Sequence, residues 1–94
     1  MGFEWDEAKN QKNIQKHGIS FERAKRIFSG KVLTRIDDRY DYGEVRKISS
    51  GLLEGTIIIV VVHTDRKDKT RIVSARKANK EEREAYREFT GQNE

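Results

Sequence analysis

The apolar positions of this chain change their period along its length. Asp6 has the chemistry of an N-cap for a first helix running to about Lys16, with Gly18 in the position that ends helices. That helix is mostly polar; its expected apolar contacts are Trp5, Ala8 and Ile14. Ser20 is a second N-cap. Behind it Phe21, Ala24, Ile27 and Phe28 recur at spacings of three and four, which predicts a second helix with one apolar stripe, ended by Gly30. Ile19, just before the cap, is placed to pack on Ala24 as a hydrophobic staple.

The period then falls to two. Val32, Thr34 and Ile36 alternate with Lys31, Leu33 and Arg35, a first strand. Residues 37–43 read as a charged, tyrosine-rich turn, and residues 44–53 as a second strand with a kink at Gly51. Glu54-Gly55 is a hairpin signal. Residues 56–64 are apolar on both faces and β-branched, which predicts a central strand. Residues 65–69 form a charged hairpin loop and residues 70–77 a fourth strand. On it Ile72, Ser74 and Arg76 are expected to share one face, and Arg71, Val73, Ala75 and Lys77 the other. Asn79 and Glu82 make a capping box for a last helix, with Ala85, Tyr86 and Phe89 on its apolar side. The predicted fold is α+β, in the order α-α-β-β-β-β-α, with a four-stranded antiparallel sheet packed against helices.

Length narrows the picture further. Ninety-four residues suit a single domain spanning 1–94, with one modest core. The longest apolar run is the six residues 57–62, whereas a membrane helix needs about 20. The acidic opening, Met1 to Asp6, is unlike a signal peptide. With no cysteine there is no disulfide framework and no thiolate site, which fits a cytoplasmic protein. The net charge is +4, and the excess is local: residues 66–80 hold seven lysines and arginines against one aspartate. That is the footprint of a polyanion binder.

Several motifs resemble the BrnT family of toxins. They are Phe3-Glu4-Trp5-Asp6, then Lys16-His17-Gly18-Ile19-Ser20-Phe21, then Asp38-Arg39-Tyr40-Asp41-Tyr42-Gly43-Glu44 with Arg46. Val60-Val61-Val62, Arg71-Ile72-Val73-Ser74-Ala75-Arg76-Lys77-Ala78, Glu82-Arg83 and Tyr86 continue the match. At His63 this chain departs from a pattern in which many relatives carry tyrosine. The resemblance implies a RelE-like fold and a ribonuclease toxin of a type II toxin–antitoxin system that halts translation. It also implies a BrnA-type antitoxin with a ribbon-helix-helix domain, and operator DNA reached only through the toxin–antitoxin complex.

The residues offer no metal cluster: His17 and His63 lack partners at ligand spacing, and Asp37, Asp38 and Asp41 are too few oxygens for calcium. No Walker loop or Gly-x-Ser-x-Gly elbow occurs, and no cofactor is implied. Metal-free RNA cleavage needs only an oriented 2′-hydroxyl, a base, an acid and cations on the phosphate. Arg76 at a strand end is the first candidate for the cation, because its planar fork grips phosphate. Arg46 is the second. Glu44, on the same predicted strand, is either a base or the partner of Arg46 in an ion pair. His63 is either a proton-transfer group or an inert sheet-end histidine. His17 caps the first helix as a cation, or serves the site through the Lys-His-Gly motif. Tyr86 donates a proton, stacks on a base, or packs in the core beside Phe89. Lys16, Arg66, Lys67, Lys69, Arg71 and Lys77 are the expected RNA contacts. Two other functions fit the same composition: a non-catalytic nucleic-acid-binding module, and a ParE-like toxin acting on a protein.

Overall fold

A computed structural model describes residues 2–39 and 41–91; Tyr40, part of the motif noted above, lies outside them. Strand β1 (Gly2–Trp5) precedes helix α1 (Glu7–His17), the short helix α2 (Phe21–Ala24) and a 3-10 stretch, Lys25–Ser29. Strands β2 (Val32–Asp37), β3 (Arg46–Leu53), β4 (Ile57–Arg66) and β5 (Lys69–Lys77) follow, and then helix α3 (Lys80–Thr90). The strands form one mixed sheet in the order β1-β5-β4-β3-β2. β2 to β5 are an antiparallel meander, and β1 runs parallel to β5.

This corrects the expected four-stranded antiparallel sheet and the helix-first order. β1 is short, and its partner lies more than sixty residues away, with Trp5 beside Ile72. Local pattern alone therefore did not mark it, although Phe3 and Trp5 do alternate with Glu4. The second helix is corrected as well. Phe21, Ala24 and Ile27 are each essentially buried and recur at intervals of three. Three residues per turn is the 3-10 period, so the chain tightens after Ala24 and keeps Ile27 in line with the core. β3 begins at Arg46 rather than at residue 44.

The caps are as expected. Asp6 accepts from the Ala8 and Lys9 amides, Ser20 from Arg23, and Asn79 with Glu82 completes the capping box. Glu54 and Gly55 both have positive φ, and the Thr56 amide donates to the Leu53 carbonyl at 3.0 Å, which is a type I′ hairpin turn. Gly51 does not kink β3. It is needed because a Cβ there would lie 2.7 Å from Ile27 Cβ.

Two apolar layers cover the sheet. Ile59 and Val61 of β4 point to one face, beneath Phe21, Ala24 and Ile27; Ile58 and Val60 point to the other, toward Tyr86 of α3. The polar helix α1 docks through asparagines. Its buried residues are Asn10 and Asn13, whereas Ile14 is 36% exposed. The Asn13 amide donates to the Ile19 and Ala75 carbonyls at 2.8 and 2.9 Å and accepts from the Ala75 amide at 3.1 Å. It thus takes the place of a neighbouring strand where β1 stops.

Candidate active site

Cross-strand register decides which side chains meet. β4 and β5 carry an irregularity at His63, where the partners pass from Val62 with Ser74 to His63 with Ile72. Val73 is the extra residue of a β-bulge. Ile72 and Ala75 therefore both face the core under α1 and α2. This overturns the expected division of β5: Arg71 shares a face with Ser74 and Arg76, and Ile72 does not.

On that face Asp37, Arg46, Thr64, Arg71 and Glu4 form one row across the five strands. Leu33, Ser50, Val60 and Arg76 form another, farther along. Asp37 is buried and accepts from Arg39 Nε at 2.8 Å, Arg39 Nη2 at 3.0 Å and Tyr42 Oη at 3.0 Å. The Arg39 guanidinium holds its carboxyl far below the usual range. Tyr42 in turn lies against Arg46, whose guanidinium carbon is 4.0 Å from the ring centroid. Arg46 Nε and Thr64 Oγ1, neighbours in the row, are buried without a hydrogen-bond partner among the described residues. Arg71 reaches Glu4 at 3.4 Å. Arg76 makes a bidentate pair with Glu82, both bonds 2.8 Å, which raises its own pKa and lowers that of Glu82. These are oriented cations, not flexible ones.

At the edge of β5 a groove of about 290 Å³ opens between the sheet and α1. Lys9, Lys12, Lys16 and His17 line it together with Val73 and Ser74. Ser74 also belongs to the Arg76 face, so the lysines of α1 and the arginines of the sheet border one another. His17 is half-buried there.

The other candidates are dispersed. His63 is buried on the opposite face, with Ile59 and Val61. Its Nε2 is 2.8 Å from Ser49 Oγ, which is 2.7 Å from Thr34 Oγ1, and the Phe28 ring packs edge-on to its imidazole. Burial lowers its pKa. Tyr86 is also buried, its hydroxyl donating to the Lys31 carbonyl at 2.8 Å. Glu44 pairs with Arg66 at 3.4 Å, not with Arg46. Arg66 and Lys69 are strand residues paired across the β4–β5 hairpin, so the expected five-residue loop shrinks to Lys67 and Asp68. Lys77 is exposed at the end of β5 and lines a different groove, beneath α3.

Sequence reasoning placed Ser74 with Arg76 but missed Arg39 and Thr64 as members of this face, and Lys9 and Lys12 as lining of the groove. The lysines were legible as Lys9, Lys12 and Lys16 at spacings of three and four, one helical side. Among the described residues no three histidines or carboxylates approach closely enough to hold a metal ion. No helix among them is long and apolar enough to cross a membrane.

Comparison with known proteins agrees with this architecture. The family model described as the ribonuclease toxin BrnT of type II toxin–antitoxin systems matches residues 5–82. The 1.1 Å crystal structure of the Brucella abortus ribonuclease toxin BrnT superposes with a TM-score of 0.65 at 31% sequence identity. The match covers 85% of this chain and 99% of that one. A comparison with curated proteins yields no match.

Proposed function

This chain belongs to the BrnT family of ribonuclease toxins of type II toxin–antitoxin systems, and we propose that it is a metal-independent endoribonuclease of the cytoplasm. It cuts RNA, inhibits translation and is neutralised by a BrnA-type antitoxin. The ribbon-helix-helix domain of that antitoxin carries the complex to operator DNA. The observation that supports the reading best is the bulge at Val73, which turns Arg71, Ser74 and Arg76 to one face with Arg46 and opens that face to the groove of His17 and Lys16.

RNA supplies its own nucleophile. The 2′-oxygen attacks the adjacent phosphorus, the bond to the 5′-oxygen breaks, and a 2′,3′-cyclic phosphate remains. One proton leaves the 2′-oxygen and one is delivered to the 5′-oxygen. In this reading Arg46 and Arg76 stabilise charge on the phosphate, and Arg71, Lys9, Lys12 and Lys16 guide the strand. His17, rather than His63, is the histidine that handles a proton. His63 is sealed under Phe28, and its burial supports a packing role. Tyr86 anchors α3, and Glu44 holds Arg66.

The test is incubation of the purified protein with single-stranded RNA in excess EDTA, followed by analysis of the ends. Cleavage giving 2′,3′-cyclic phosphates is expected. Cutting that requires added magnesium or manganese would overturn the metal-free mechanism. An absence of cutting under both conditions would overturn the nuclease reading.

A further inference from the structure

A second groove, of about 380 Å³, lies between α3 and the β3–β4 hairpin. Leu52 and Ile57 contribute apolar surface over a floor of buried Ile58 and Tyr86, and Lys77, Arg83 and Arg87 contribute the charge. Leu52 is 40% exposed. None of the lining residues is a carboxylate, in a chain with 16 acidic residues. Elsewhere most arginines are neutralised in place: Arg23 and Arg26 by Glu54, Arg39 by Asp37, Arg66 by Glu44, Arg71 by Glu4, Arg76 by Glu82. In this groove the one hydrogen bond of the Arg83 side chain among the described residues goes to a backbone carbonyl, that of Ala78, at 3.0 Å. No ion pair reaches Lys77 or Arg87 among the described residues. Apolar surface beside unneutralised cations suits a ligand that brings both apolar side chains and carboxylates.

We propose that this groove docks an acidic, amphipathic segment of a protein partner; on the reading above, that partner is the antitoxin. RNA fits it less well. The aliphatic side chains offer no ring for a base to stack on, and the Tyr86 ring is buried. The groove shares no lining residue with the His17 groove. It is also preformed, because α3 is pinned by the Tyr86 hydroxyl on the Lys31 carbonyl and by Glu82 on Arg76. A segment seated there lies along α3, which carries Glu82, the partner of Arg76. The antitoxin thus adjoins the cleavage face without having to imitate RNA.

The experiment uses the whole chain and, as probe, the separately purified protein encoded beside it. Its affinity is measured by calorimetry for the wild type, for Arg83→Glu with Arg87→Glu, and for Leu52→Asp. Hydrogen exchange of the wild-type complex locates the contact with no variant at all. Expected are losses of about 30-fold or more in affinity for each variant, the scale of a binding hot spot. Their RNA cleavage is unchanged, and amides of residues 52–58 and 78–87 are newly protected. Unaltered affinity in folded variants, or protection confined to other elements, overturns the proposal. So does a variant that loses RNA binding while holding the probe normally, since the groove would then belong to RNA. A wild-type protein that cuts no RNA sinks the nuclease reading but leaves these binding results to decide the groove separately.

Discussion

Replacing Asn13 by alanine should be among the most damaging single changes in this protein, although it removes no apolar contact of note. The side chain is 6% exposed and makes three hydrogen bonds, two to carbonyls and one from an amide, at 2.8, 2.9 and 3.1 Å. Truncation leaves the amide and carbonyl of Ala75 and the carbonyl of Ile19 without partners. A buried polar group stranded in this way costs about 1–3 kcal/mol. Water entering at the sheet edge recovers part of that, so a net loss of about 3–4 kcal/mol is expected. Domains of this size are stable by only about 5–15 kcal/mol. Each kcal/mol moves Tm by about 4–8 °C, so a drop of about 12–32 °C follows. Asn13→Asp should be no better, because a carboxylate cannot donate to two carbonyls. Urea unfolding followed by circular dichroism checks this, with the midpoint falling and the slope unchanged. A loss below about 0.5 kcal/mol for Asn13→Ala would refute the idea that asparagine, acting as a surrogate strand, docks α1.

Arg76→Ala should stay folded, since its partner Glu82 is near the surface, yet lose about 10²–10³-fold in single-turnover RNA cleavage; wild-type growth arrest at equal expression would contradict this. Gly51→Ala should cost about 1–3 kcal/mol by driving a methyl into Ile27. Combining it with Ile27→Ala should cost less than the sum of the single changes, as a double-mutant cycle in urea would show. His63 gives a pH dependence of defined sign. Burial lowers its pKa from 6.5, so below that pH the unfolded chain takes up the proton first. Its contribution is complete above pH 6.5 and is lost as pH falls through the window beneath it. His63→Gln should flatten that part of the urea midpoint curve, and an unchanged curve would exclude His63 as its source.

The capping chemistry was legible because it is local. Asp6, Ser20 and Asn79 each bond an amide two or three residues ahead, and Glu54-Gly55 closes its own turn. The central strand was legible because residues 57–62 are β-branched and apolar on both faces. What escaped depends on distance. β1 finds its partner through a parallel contact that spans most of the chain. Asn10 and Asn13 read as solvated because asparagine on a helix usually is. Nothing local says that Asn13 will meet Ala75, sixty-two residues away.

The candidate site shows the same limit more sharply, because strand faces alternate and a single extra residue reverses them. Strict alternation along β5 pairs Ile72 with Arg76 and sets Arg71 apart. Two core positions forbid that arrangement. Ile72 must face Trp5 and His63, and Ala75 must face Val61, with both beneath α1 and α2. Positions three apart cannot share a face on a regular strand, so Val73 is left over as the bulge. Its consequence is chemical: Arg71 comes round to the side of Ser74 and Arg76, and the edge beside Ser74 opens toward His17. The apolar demands of the core therefore determine which arginines gather, and the proposed RNA face follows from how Ile72 and Ala75 are buried.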